Sequence, residues 1–267
     1  MRSISAADLM SRDDTGDVLL LFSETGEGKT VTSLKTCRLP VEIIYTEPRD
    51  IKKSLIAAKR PELYEPGMCN VVYYDTFTPA MEYVATHDFK GINTVILDSI
   101  TQTMILLLQE ITSDAYQERV NDPKKRADAI AKALTNEVKS SVEDYGALSG
   151  QMKRLTGAIA KLSQNGRTVI LLARLQENPR YDRSVMAGPA LTGKDFSKDF
   201  AGWCDFIGIL TTNKDKDGKT VYPPLVSFDK GSSYLAKWTG IMPELGVKNK
   251  PLDIQKILAV AHGEGGK

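Results

Sequence analysis

Asp17-Val-Leu-Leu-Leu-Phe-Ser23-Glu-Thr-Gly26-Glu-Gly28-Lys29-Thr30 reads as a buried strand that runs into a glycine loop and then opens a helix. A loop of this kind turns its backbone N–H groups toward one centre, and the positive end of the following helix adds to them, so the segment is built to hold the phosphates of a nucleotide. Lys29 has the length and charge to reach the outer phosphates, and the Thr30 hydroxyl is placed to ligate Mg²⁺. ATP and Mg²⁺ are therefore the expected cofactors, with Ser23, Glu24, Thr25, Gly26, Glu27, Gly28, Lys29, Thr30 and Val31 as the expected nucleotide contacts. The strict pattern begins with glycine where this chain has Ser23; serine is small, and Gly26 and Gly28 keep the loop open to close backbone approach.

The chain carries its own control. Gly218-Lys219-Thr220 has the same tripeptide but follows Asp215-Lys216-Asp217, and Asp217-Gly218 is a hairpin-turn signal between two strand-like runs. With no buried strand before it and no helix after it, this copy is expected to be a turn.

The length of 267 residues allows one large domain or a core with a small appendage. The composition, 42% hydrophobic and 26% charged, is ordinary for a globular protein, and no apolar run approaches the ~20 residues of a membrane span. Residues 1–14 carry charges and lack an apolar centre, so they are not expected to be a secretory signal. Cys37, Cys69 and Cys204 are scattered without metal spacing and are expected to be reduced, as in a cytoplasmic protein. The net charge of +1 lacks the basic excess of a dedicated nucleic-acid binder, so any such contact must come from local basic loops or from an assembly.

Apolar runs at 18–22, 42–46, 71–75, 94–98 and 168–173 alternate with helical stretches, the signature of an α/β sheet. The first, fourth and fifth are almost wholly apolar, as central parallel strands should be. The helix after the loop is expected over 29–37, closed by Pro40. Residues 124–164 read as two helices separated at Gly146: Ile130, Leu134, Val138 and Val142 form one stripe, and Leu148, Met152, Leu155, Ile159 and Leu162 another. They belong to a helical insertion at about 112–164. Asn165-Gly166 ends the second helix. Residues 175–200 read as a long irregular loop. From Asp205 the pattern changes to strands at 206–211, 221–228 and 234–238 joined by tight turns, a small antiparallel β extension. The domain is expected to span 1–245, followed by a C-terminal helix within 246–267 and a frayed tail from His262.

Five further places carry candidate chemistry. Thr94-Val-Ile-Leu-Asp98 is an apolar strand ending in an acid about 70 residues after the loop, where a carboxylate holds Mg²⁺ beside the loop hydroxyl. Glu47 closes the second strand at the edge where ligands of a parallel sheet bind, and it is the candidate for orienting the attacking water. Arg174 ends the fifth strand and is either a sensor of the γ-phosphate or a surface ion pair, with Gln176 its neighbour. Lys230 and Lys237 sit in the C-terminal β region, where a cation either reaches a neighbouring subunit's nucleotide or keeps an edge strand from aggregating. Arg180, Tyr181, Arg183, Lys194 and Lys198 interleave positive charge with an aromatic ring, which fits single-stranded nucleic acid by phosphate contact and base stacking, or else a plain loop.

Together these pieces resemble the RecA-like branch of P-loop ATPases, in particular compact phage-encoded ATPases with recombinase-like or single-strand-annealing roles. The matching residues are Ser23–Thr30, Glu47, Leu97-Asp98-Ser99, the strand 168–173 with its long loop, the stretch from Pro189 to Gly193 before Asp205-Phe-Ile-Gly208, and Leu235-Ala-Lys237. They span about residues 15–245. The resemblance implies an α/β fold with a mostly parallel central sheet sandwiched by helices, Glu47 as the water-activating glutamate, and Lys237 as the cation that reaches the next subunit's nucleotide. It also implies rings or filaments with ATP at subunit interfaces, and single-stranded DNA against the loop after the sensor strand. Arg174 stands where recombinases commonly carry glutamine, and Trp238-Thr239 where ring helicases of the branch carry a second basic residue. Two rivals to DNA recombination or annealing follow: a motor or helicase loader acting on a replication or recombination protein, and a poorly hydrolysing nucleotide switch or scaffold.

Overall fold

The computed structural model describes residues 16–127, 142–177, 179, 186–191, 194–229, 234–239 and 250–263. Among these, nine strands form one sheet. Strands β1 (Val18–Ser23), β2 (Val41–Tyr45), β3 (Cys69–Tyr73), β4 (Thr94–Asp98), β5 (Thr168–Glu177) and β7 (Phe206–Lys214) run parallel in the order β3-β2-β4-β5-β1-β7. Strands β8 (Thr220–Ser227) and β9 (Lys250–Pro251) continue the sheet antiparallel, and β6 (Ala187–Pro189) pairs antiparallel with the end of β5.

Burial on both faces explains why the central strands are unbroken apolar runs. Successive side chains of a strand point to opposite faces. Val18, Leu20 and Phe22 of β1 therefore join one core with α3 (Phe77–Thr86), α4 (Ile100–Asn121), α5 (Val142–Gln164) and α6 (Lys194–Trp203). Leu19 and Leu21 join the other, which holds Leu34 of α1 (Lys29–Thr36), Ala58 of α2 (Lys52–Ala58) and Ile254 and Ile257 of α7 (Ile254–Ala261). Each buried Leu or Ile contributes roughly 1.5–3 kcal/mol. The chain is thus a mixed α/β protein with a mostly parallel central sheet between helices and an antiparallel end.

Several local expectations hold. α1 stops at Thr36, before Pro40, and Gly166 follows α5 at a φ of 81°. Asp215–Lys219 forms the β7–β8 turn, closed by Asp215 N to Lys219 O at 2.8 Å, with Gly218 at a φ of 77°. β4 spans Thr94–Asp98 as read, whereas β2 starts one residue earlier than expected and β3 two.

Others need correction. Gly146 lies inside α5 and separates nothing; an interior glycine costs about 1 kcal/mol, and the buried stripe Leu148, Met152, Leu155, Ile159 and Leu162 outweighs it. Ile130, Leu134 and Val138 lie outside the described residues. Much of 175–200 is regular: β5 runs on to Glu177, β6 pairs back onto it, and α6 buries Phe196 and Phe200 one helical turn apart. Residues 234–238 form no strand. β8 ends opposite Ile209, so the backbone of Ile207 is open on that edge, and Lys237 fills it with a single bridge, while Tyr234 bridges Ala187. His262 is held rather than frayed: its N–H donates to Leu258 O, and Nε2 lies 3.0 Å from Asp17 Oδ2.

No helix among the described residues is long and apolar enough to cross a membrane.

Candidate nucleotide-binding site

The parallel register brings the site together. Ser23 stands beside Arg174, and Tyr45 stands beside Asp98, so the ends of β1, β2, β4 and β5 form one carboxyl edge. Glu47 follows β2 by two residues and reaches the same edge.

The loop between β1 and α1 has Gly26 at a φ of 92° and Gly28 at 80°, both in the left-handed region that side chains disfavour. Gly28 caps α1 with no side-chain bond, and the first turn of α1 carries no acid, so its leading N–H groups face no competing carboxylate from that turn. Lys29 Nζ donates to Ser23 O, Ser23 Oγ and Glu24 O, each at 2.9 Å, which lays the ammonium across the loop. Burial lowers Lys29 to about 8 against the opposing pull of Asp98, Glu47, Glu24 and Glu27. Within the loop Glu24 and Thr25 are exposed, Glu27 is half-buried, and Val31 packs against the core beneath α1.

Thr30 Oγ1 donates to Asp98 Oδ2 at 2.7 Å. Asp98 is almost fully buried, and this burial pushes its carboxyl up to about 6, with Glu47 adding to the rise while Thr30, Lys29 and Arg49 oppose it. A hydroxyl and a desolvated carboxylate side by side are hard oxygen donors, which fits a magnesium ion shared with phosphate oxygens.

Glu47 is held from two sides. Ser99 Oγ donates to its Oε1 at 2.6 Å, and Arg174 Nη2 lies 3.1 Å from Oε1 and 2.8 Å from Oε2. Arg174 also donates to Gln102 Oε1 at 3.1 Å, and its backbone N–H donates to Thr101 Oγ1 at 3.1 Å. Ser99 Oγ in turn accepts from Gln102 N at 3.1 Å in the first turn of α4. The peptide between Asp98 and Ser99 is cis.

The structure therefore gathers Lys29, Thr30, Asp98, Glu47 and Arg174, and adds Ser99 and Gln102, to which the sequence assigns no role. Adjacency to Asp98 was the one signal for Ser99; Gln102 had none. Tyr222 also reaches the loop, with its hydroxyl donating to Gly26 O at 2.9 Å. Lys237 is not brought to this edge. It bridges Ile207, which is level with Leu20 in the middle of β1, and its Nζ donates to Ala201, Gly202 and Cys204 carbonyls at 3.3, 3.2 and 2.5 Å, at the C-terminal end of α6. Arg180, Tyr181, Arg183 and Lys230 lie outside the described residues. Lys194 and Lys198 fall on α6, and their side chains are outside what is described.

No family model matches the chain, and no curated protein matches it. Among solved structures it is similar to the flagellar accessory protein FlaH from Methanocaldococcus jannaschii, at 13% identity and a TM-score of 0.42, covering 80% of this chain and 78% of that one. It is also similar to an ATPase from the type III secretion system of pathogenic bacteria, at 12% identity and a TM-score of 0.42, covering 74% of this chain and 52% of that one. This chain thus spans about half the length of the secretion ATPase. Roles for individual residues rest on the geometry of the site.

Proposed function

We propose that this chain is a RecA-like ATPase that binds Mg·ATP through the 23–31 loop and hydrolyses it. The observation that supports this most is the Thr30–Asp98 pair at 2.7 Å beneath a glycine loop, with Glu47 on the same sheet edge. β5 stands between the strand of the loop and the strand of Asp98, so Arg174, level with Ser23 on β5, would lie between bound phosphates and Glu47. Lys29 would contact the outer phosphates. Thr30 and Asp98 would hold the magnesium ion, which when bound neutralises charge on the phosphate oxygens. Glu47 accepts a hydrogen bond from the attacking water and aligns it with the bond to be broken. Arg174, released from Glu47, meets the charge that develops on the γ-phosphate.

The wider role we propose is DNA recombination or annealing by a ring or filament of a phage-encoded protein in the cytoplasm, with single-stranded DNA against the segment holding Arg180, Tyr181, Arg183, Lys194 and Lys198. The near-neutral net charge of +1 favours a second reading, a motor or loader acting on a protein partner. ATP hydrolysis with and without single-stranded DNA, at low and moderate salt and with Lys29→Ala as the blank, separates them. Stimulation that fades with salt is expected of the first reading. Hydrolysis indifferent to DNA overturns it in favour of the second.

A further inference from the structure

Tyr222 lies far from the phosphate loop in sequence, yet it touches the loop twice. Its hydroxyl donates to Gly26 O at 2.9 Å, and its ring edge comes within 2.9 Å of where a Cβ on Gly28 would stand. Gly28 is thus required for two reasons, its φ of 80° and the ring against its backbone.

The sequence of β8 explains how the ring gets there. The ladder with β7 pairs Asn213 with Val221 and resumes at Thr211 with Leu225, so Tyr222, Pro223 and Pro224 stand opposite the single residue Thr212. Neither proline has an N–H to give the ladder. An irregularity of this kind re-aims a side chain, and such bulges recur beside active sites. Here it turns Tyr222 out of the hairpin and onto the loop, leaving the side chain about half exposed at 55%.

The peptide unit is planar, with its C=O and N–H pointing in opposite directions. Fixing the Gly26 carbonyl toward Tyr222 therefore fixes the Glu27 N–H toward the opposite face of the loop. We infer that Tyr222 is a positioning residue, a latch by which the β7–β8 hairpin holds the loop's Glu27 N–H in the orientation that receives phosphate. This rests on the proposed nucleotide-binding reading of the loop and extends it to a residue of the hairpin.

The test compares wild type, Tyr222→Phe, Tyr222→Ala and Lys29→Ala by calorimetric binding of two probes, Mg·ATP and magnesium tripolyphosphate, the second having phosphates but no nucleoside. Thermal unfolding of each variant serves as the control. The latch predicts that Tyr222→Phe, which keeps the ring and loses the hydroxyl, weakens both probes by the same factor, about three- to tenfold, with an unchanged unfolding temperature. Unaltered binding of both probes by Tyr222→Phe overturns the latch alone. Loss confined to ATP and to Tyr222→Ala also overturns it, because the ring would then serve the nucleoside. A wild type that binds neither probe, like Lys29→Ala, overturns the nucleotide reading and the latch with it.

Discussion

Arg174 is paired with Glu47 across β4, its Nη2 2.8 Å from Oε2 and 3.1 Å from Oε1. The Glu47 side chain is 9% exposed and the Arg174 side chain 40%, so the pair sits at the mouth of the site rather than in the core. Under the proposed function this pair is a resting arrangement, and a bound γ-phosphate would compete with Glu47 for the arginine. Arg174→Ala is expected to lower kcat about ten- to hundredfold with little change in KM for ATP, because the lost contact belongs to the transition state. Arg174→Lys restores charge without the planar fork and recovers only part. Steady-state hydrolysis over a range of ATP concentrations checks both.

Ser99 links Asp98 to Glu47. Its hydroxyl donates to Glu47 at 2.6 Å and accepts from Gln102 N at 3.1 Å. Ser99→Ala removes both bonds, and a drop in kcat of about three- to tenfold is expected, with about 1 kcal/mol of stability lost from the first turn of α4. Ser99→Thr, which keeps the hydroxyl, should recover most of the rate. Parallel turnover and urea-unfolding measurements separate the two effects.

Asp98 weakens the nucleotide-free fold. Burial raises its carboxyl from 3.8 to about 6, so the folded state binds the proton more tightly than the unfolded chain does. Its contribution to stability therefore falls as pH rises from about 4 through about 6 and stays low above that, a penalty on the order of 2–3 kcal/mol at neutral pH. Asp98→Asn removes the penalty. Without nucleotide it should melt a few degrees above wild type at pH 7.5, and the gap should close toward pH 4, while Mg·ATP binding is lost. Thermal unfolding across that pH range reads the difference.

Lys237 is a helix-end cation. Its ammonium meets the carbonyls of Ala201, Gly202 and Cys204, the groups that a C-terminus leaves unpaired. Lys237→Met should cost about 2 kcal/mol of stability and leave turnover per folded molecule unchanged. If Lys237 instead served a neighbouring subunit's nucleotide, the rate would fall by roughly 10³ or more. Melting temperature and specific activity, measured on the same sample, tell these apart.

The loop and its flanks were legible because each step is local: a run of consecutive apolar residues, glycines at two left-handed positions, then Lys-Thr at a helix start. β4 was legible for the same reason, as a short apolar run with one acid at its end. The Glu47–Arg174 pair was not, because it depends on β2, β4 and β5 being neighbours, and strand order is a property of the folded sheet. Tyr222 was hidden for the same reason. α6 was missed although Phe196 and Phe200, four apart and both buried, carried its signal; the glycines and prolines before it drew the reading toward a loop. Gly146 misled in the opposite way, since a long buried stripe carries a helix through one unfavourable residue.

Lys29, Thr30 and Asp98 are expected to bind Mg·ATP and Glu47 to turn it over. The most direct measurement is Mg·ATP affinity and single-turnover hydrolysis for wild type, Lys29→Ala and Glu47→Gln. Glu47→Gln should bind ATP as tightly as wild type and hydrolyse it at least about a hundredfold more slowly, while Lys29→Ala binds little. Wild-type hydrolysis by Glu47→Gln would remove Glu47 from catalysis, and undiminished ATP binding by Lys29→Ala would overturn the nucleotide site at this loop.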